Sequence, residues 1–300
     1  MSVTELRFGW WHTGGGRQYA DVALIARAVE ALISTHELHV LVLGEFGDNL
    51  AGRLQEVVSS HGWQIILMDR KFGRSRFDLA AICASPHVAV SGPEYLVHNA
   101  EKHVEKVAAR LGCSIPSAGF LFDLWGVHWP SDMVVGADAE RDRFASRLRA
   151  EIELRAQQTA HVLIIGDPNA EPSSRAVEDH LRATRDRAWA LKQRRFYNPT
   201  WRLLGAGADL LRLDGLGRFA GSFRFDNPPV YHPTRWKTVD QLLCSPAMLD
   251  GDWQLVENDL RFGLVPDLLD DTGNLRKGQD HLPLVGTIRR IPSSHGVQNS

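Results

Sequence analysis

No run of apolar residues approaches the roughly 18 needed to cross a bilayer, and the N-terminus, Met1 to Arg7, has no basic stretch leading into an apolar one. Neither a membrane span nor a secretory leader is expected; a soluble cytoplasmic protein is. Cysteine is scarce. Cys83, Cys113 and Cys244 are odd in number, far apart and set among apolar or small residues, which excludes a disulfide framework or a zinc site and predicts reduced, buried thiols. Net charge is also nearly absent, at −2. The chain therefore does not coat nucleic acid by bulk electrostatics, and any polyanion site has to be a local patch. Repeats, low-complexity tracts and long linkers are missing. A single catalytic-sized domain over residues 1–292 is expected, with a disordered tail at 293–300.

What is present is an alternation of short apolar runs and amphipathic stretches, the pattern of an α/β protein. Strands are expected at Leu6–Thr13, Leu38–Leu43, Trp63–Met68, Leu79–Ala84, Val88–Val90 and Phe120–Val127. Helices are expected near Gln18–Ser34, Leu50–Ser60 and Ala139–Gln158. Glu94–Leu111 is ambiguous, with helical spacing at Val104, Val107, Ala108 and Leu111 in a setting that suits a strand pair. Arg182–Arg195 reads as a helix whose cations are either a solvated face or a nucleic-acid patch. Beyond a Gly- and Leu-rich stretch, Leu203–Gly221, further strands fall at Ser222–Phe225, Thr238–Cys244, Trp253–Glu257 and Leu284–Ile291.

The stretch around which the rest is organised is His161-Val-Leu-Ile-Ile-Gly-Asp167-Pro-Asn169. Four apolar residues form a buried strand, Gly166 permits a close approach, and an acid and an amide follow at alternate positions. Asp167 can take a proton from water and Asn169 can orient it; equally, both can cap an Asx-turn. Other strands deliver polar groups at their ends: His12, Glu45 and His128. Asp240, read inside the apolar run Thr238–Cys244, needs a buried partner, because an unpaired buried carboxylate is costly. His281 is the natural one, in a pair that fixes the tautomer and raises basicity. Arg70, Lys71, Arg74 and Arg76, with Phe72 among them, form either a phosphodiester clamp or a solvated hairpin loop.

The ordered set Trp11-His12, Gly44-Glu45, Val127-His128-Trp129-Pro130, Gly166-Asp167-Pro168-Asn169, Val239-Asp240 and Gln279-Asp280-His281 resembles the endonuclease/exonuclease/phosphatase superfamily, the DNase-I-like fold, from about Leu6 to Ile288. The resemblance implies a four-layer α/β/β/α sandwich of two mixed β-sheets with outer helices. It implies a divalent-metal-dependent phosphodiesterase using Mg²⁺ or Mn²⁺. The nuclease branch is favoured by His128 and by the cationic stretches, with nucleic acid as substrate. A small phosphorylated lipid, inositol or nucleotide is the alternative, and a binding module with a degraded site a third. Carried over, His128, Asp167, Asn169, Asp240 and His281 are catalytic, and Glu45 and Asp280 hold metal. His12 stands where the family has Asn, Gly44 where it has Gln and Gln279 where it has Ser. As a nitrogen donor, His12 predicts a preference for Mn²⁺ over Mg²⁺.

Overall fold

The computed structural model describes residues 3–99, 104–204, 219–225 and 235–291. Two mixed sheets carry the architecture. The first has six strands in the order β16-β17-β1-β2-β6-β3, and the second seven in the order β11-β12-β15-β10-β9-β8-β7. In chain order these are β1 (Glu5–His12), β2 (Val40–Gly44), β3 (Trp63–Met68), a two-stranded hairpin of β4 (Lys71–Phe72) and β5 (Ser75–Arg76), β6 (Leu79–Ala84), β7 (Ala89–Asn99), β8 (Val104–Ile115), β9 (Phe120–His128) and β10 (Val162–Asp167). They continue with β11 (Ala183–Thr184), β12 (Phe196–Tyr197), a second small pair of β13 (Phe223–Arg224) and β14 (Trp236–Lys237), β15 (Gln241–Cys244), β16 (Trp253–Phe262) and β17 (Leu284–Arg290).

Successive strand residues point to opposite faces, and β10 shows what that alternation does. Leu163 and Ile165 pack between the sheets with Trp10, Val42 and Leu242. Val162 and Ile164 pack outward with Phe144, Leu148 and Ile152 of helix α3 (Ala137–Arg155). Helices α1 (Val22–His36) and α2 (Asp48–Ser60) cover the outer face of the first sheet through Ile25, Val29, Leu32, Leu50, Leu54 and Val58. The layers therefore run helix, sheet, sheet, helix. The central strands run parallel in each sheet, β1 with β2 and β9 with β10. Their C-terminal ends bring His12, Gly44, His128 and Asp167 to the same rim.

Several expectations change. Within the ambiguous segment, residues 94–99 and 104–111 belong to the antiparallel pair β7–β8, because pairing along the sheet edge overrides the local helical spacing. Arg182–Arg195 is not one helix: β11 precedes a short helix α4 (Arg187–Gln193), which starts on the Asp186 cap and ends at Arg194 in the left-handed region. Asp240 does not lie within a strand; β15 begins at Gln241, and Asp240 is fully buried just before it. The expected tail at 293–300 and most of the Leu203–Gly221 stretch lie outside the described residues. All three cysteines are buried and free, and burial pushes the Cys83 thiol up to about 12. Among the described residues no helix is long and apolar enough to cross a membrane.

Candidate active site

The floor of the cleft is Asp167, at the end of β10. A Cβ on Gly166 would come within 2.0 Å of the Val127 carbonyl oxygen, so only glycine lets β10 lie this close to β9. Asn169 adopts φ 50°, which asparagine tolerates better than most residues. Its backbone N–H donates to Asp167 Oδ1 at 2.6 Å, and its side-chain amide donates to Asp167 Oδ2 at 3.2 Å and to the Trp129 carbonyl at 2.9 Å. The turn reading and the site reading of this stretch therefore hold together: the Asx-type turn is what fixes the carboxylate. Burial, reinforced by the Asp240 charge, raises the Asp167 carboxyl to about 6.

Two carboxylate–imidazole pairs flank it. On one side His281 Nδ1 lies 2.8 Å from Asp240 Oδ2. Asp240 is held further by the Trp10 indole N–H at 2.6 Å, and its backbone N–H donates to Ser222 Oγ at 2.9 Å. Burial works against the charged imidazole, but the Asp240 carboxylate outweighs it and lifts His281 to about 9. On the other side His128 Nδ1 lies 2.9 Å from Asp78 Oδ2, with Lys106 Nζ at 3.4 Å from Asp78 Oδ1. Burial again opposes the charges, yet pairing wins: His128 is raised and Asp78 lowered to about 2.

Between the pairs stands His12, its ring stacked on His281 at 3.9 Å between centroids and edge-on to His128 at 5.0 Å. Burial pushes it well below its ordinary value, and the neighbouring imidazoles add to the effect, which favours the neutral ring. Its Nε2 lies 3.7 Å from Glu45 Oε1, and its Nδ1 is buried without a hydrogen-bond partner. Glu45 adopts φ 46°, a conformation that costs a non-glycine residue about 1–2 kcal/mol. The corner is held by Thr13 N–H donating to the Gly44 carbonyl at 2.9 Å and Phe46 N–H to the Asp78 carbonyl at 2.8 Å. Arg17 joins Glu45 to Asp280, with Nε 2.9 Å from Glu45 Oε2 and Nη2 3.0 Å from Asp280 Oδ2.

His12, Glu45, His128, Asp167, Asn169, Asp240, Asp280 and His281 thus form one connected cluster of polar side chains from positions far apart in sequence. Ligating atoms of His12, His128 and Asp167 lie within 4.8 Å of one another, as do those of His12, Asp280 and His281 and those of Asp167, Asp240 and His281. A divalent ion fits this donor set. A neutral buried imidazole with an acid alongside is a ready ligand, and the carboxylates supply hard oxygens.

The basic hairpin borders the cleft, since Arg76 and Asp78 line the same roughly 480 Å³ cavity as Arg17 and Glu45. Its cations differ from one another. Arg76 is paired with Asp48 and, at 2.7 Å, with Asp69, so its charge is balanced within the protein. Arg70 lies over the rings of Phe72 and Tyr95, while Lys71 and Arg74 are exposed.

Asp78, Trp10 and Arg17 escape the sequence reading. Asp78 carries a usable signal, as an acid at the mouth of the buried run Leu79–Ala84. Trp10 also explains Gly44: a Cβ there would lie 2.4 Å from the indole, so the ring that supports Asp240 leaves no room for a longer side chain.

A model of the endonuclease/exonuclease/phosphatase family matches residues 17–281. The chain belongs to this family. No curated protein matches it in sequence. Among solved structures, the human Nocturnin catalytic domain with bound sulfate is 15% identical with a TM-score of 0.62, covering 97% of each chain. Truncated Caenorhabditis elegans TDP2 is 15% identical at TM-score 0.62, over 95% of this chain and 98% of that one. D. rerio TDP2 complexed with a single-strand DNA product is 14% identical at TM-score 0.63, over 96% of this chain and 100% of that one. At such identities the likeness is one of fold. Members of the endonuclease/exonuclease/phosphatase family typically hydrolyse phosphoester bonds and generally depend on a divalent metal, and this chain has the donor groups for one.

Proposed function

We propose that this family member is a divalent-metal-dependent phosphodiesterase acting on nucleic acid, with residues 1–292 as its catalytic unit. The observation that carries the reading is the placement of Asp167 between two carboxylate-held imidazoles, Asp240–His281 at 2.8 Å and Asp78–His128 at 2.9 Å. Phosphodiester hydrolysis needs a base for the attacking water and cations or hydrogen-bond donors for the phosphoryl oxygens and the leaving oxygen. Asp167, its carboxyl raised to about 6, keeps the basicity to accept a proton from water near neutral pH, and Asn169 fixes its direction. His281 and His128, both raised, carry protons to donate to the phosphate and to the departing oxygen. Glu45, Asp280 and His12 would hold Mg²⁺ or Mn²⁺, which when bound would neutralise charge on the phosphoryl oxygens.

Nucleic acid is favoured by the exposed cations of the hairpin, Arg70, Lys71 and Arg74, at the rim of the cleft. The internal neutralisation of Arg76 favours the second reading, a small phosphoester that needs no extended basic track. The three free thiols suit a reducing compartment, and we assign the protein to the cytoplasm. The test is hydrolysis of single- and double-stranded DNA, RNA and a generic phosphodiester by purified protein with Mg²⁺ or Mn²⁺, with His281→Ala as control. Metal-dependent cleavage of a nucleic acid, lost in the variant, supports the reading. Cleavage of the small diester alone favours the second reading, and no cleavage of any substrate overturns both.

A further inference from the structure

The loop Gly14-Gly15-Gly16-Arg17 packs closely against the Glu45 corner. A Cβ on Gly15 would lie 2.7 Å from Leu50, and one on Gly47 would lie 2.8 Å from the Gly15 carbonyl oxygen. Gly16 N–H donates to the Glu45 carbonyl at 2.6 Å, and Arg17 N–H to the Gly14 carbonyl at 3.1 Å. This fixed loop delivers the Arg17 guanidinium between Glu45, at 2.9 Å, and Asp280, at 3.0 Å. Those carboxylates are two of the hard oxygen donors of the site, beside Asp167 and Asp240. Among the described residues, His12 belongs to two of the three compact groups of ligating atoms, Asp280 to one and Glu45 to none.

We propose that Arg17 is a specificity-determining residue for the metal: its guanidinium competes for Glu45 and Asp280 and turns the site from Mg²⁺ toward a nitrogen-accepting ion anchored on His12. Mg²⁺ depends on hard oxygen ligands in a demanding geometry. A cation already seated on two of them costs Mg²⁺ both ligand charge and direct repulsion. An ion such as Mn²⁺, which accepts imidazole, keeps the His12 anchor and loses less. This rests on the reading of the cleft as a metal-dependent phosphodiesterase site.

The test is metal binding without substrate, on the full chain: Mn²⁺ affinity from the electron paramagnetic resonance of free Mn²⁺, and Mg²⁺ affinity by competition against it. Arg17→Gln should tighten Mg²⁺ roughly tenfold and Mn²⁺ about threefold, the size expected for two part-exposed ion pairs. Arg17→Lys, which keeps the charge, should stay within about threefold of wild type. In a Glu45→Gln background the gain from Arg17→Gln should shrink, because the shared ligand is gone. If Arg17→Gln disturbs the fold by circular dichroism, Arg17→Met, which keeps the aliphatic stem against the loop, serves with the same outcomes. An unchanged or weaker Mg²⁺ affinity, equal gains for the two ions, or a full gain in the Glu45→Gln background overturns the proposal. A wild type that cleaves diesters with Mg²⁺ while Arg17→Gln alters neither affinity overturns this inference alone. A protein that binds neither ion and cleaves nothing overturns the proposed function with it.

Discussion

Asp240–His281 and Asp78–His128 are the same chemical pair in two different settings. Asp240 is fully buried, gripped by Trp10 from β1 and resting on Ser222 from a distant segment. Asp78 is 29% exposed in its side chain and shares its charge with Lys106 at the surface. The inner pair is fixed by the core, so its geometry is set by the fold. The outer pair is tuned by solvent-facing charges, so it can shift with salt and pH while the fold stays intact. One cleft thus holds an imidazole of set orientation and another of adjustable charge.

The largest expected effect of breaking this comparison is at the inner pair. His281→Ala or Asp240→Ala should lower kcat by about 10³-fold or more, as loss of a positioned acid–base group does, with the overall fold retained by circular dichroism. The stability change has a sign. His281 is raised from 6.5 to about 9 in the fold, so its pairing stabilises fully below about pH 6.5 and fades as pH rises through 9. Thermal melts should therefore separate wild type and His281→Ala most at pH 6 and least above pH 9. A gap that widens with pH contradicts the pairing.

Asp78→Asn should cost less, about 10- to 100-fold in kcat, and should move the pH profile. Asp78 is what holds His128 above its ordinary value against burial. Without it the imidazole loses its proton at lower pH, so the alkaline limb should shift toward acid. A lower rate with an unshifted limb shows that His128 does not act as a cation.

On stability, Asp167 gives a smaller effect of opposite sense. Its carboxyl is raised from 3.8 to about 6, first by burial, so its contribution to stability is present at low pH and lost as pH rises through 6. In metal-free protein Asp167→Asn should raise Tm at pH 7 and show no Tm difference at pH 4, and in the metal-loaded protein it should abolish turnover. A variant less stable than wild type at pH 7 contradicts the assignment.

The smallest effect is at the rim. Reversing Arg70, Lys71 and Arg74 should weaken nucleic-acid binding several-fold and flatten its salt dependence, while sparing a small diester. Equal losses on both substrates make the hairpin structural.

What was legible in the sequence divides along the same line. Buried strands ending in Gly166-Asp167 or Gly44-Glu45 show themselves, because a polar group at the end of an apolar run is conspicuous. The Asp240–His281 pair is legible because a buried carboxylate requires a partner, even though Asp240 precedes its strand rather than sitting in it. The outer pair is harder to see: Asp78 stands at the mouth of the buried run Leu79–Ala84, but it follows a cationic hairpin and looks like one more solvated charge until β6 and β9 bring it to His128. Trp10 and Arg17 are illegible for a different reason. Their roles depend on side chains crossing from one strand end to another, where Gly44 and the glycine loop leave space, and neither periodicity nor local spacing records such a crossing. The edge pair β7–β8 was ambiguous because its helical spacing is local while its pairing is not.

The central claim is that the inner pair acts as one catalytic unit in this cleft. The direct measurement is a double-mutant cycle on metal-dependent diester hydrolysis, comparing Asp240→Ala, His281→Ala and the double variant. Groups that act as a unit lose activity non-additively, so the double variant should turn over within about threefold of the worse single one. A double variant whose loss equals the product of the two single losses would contradict the account.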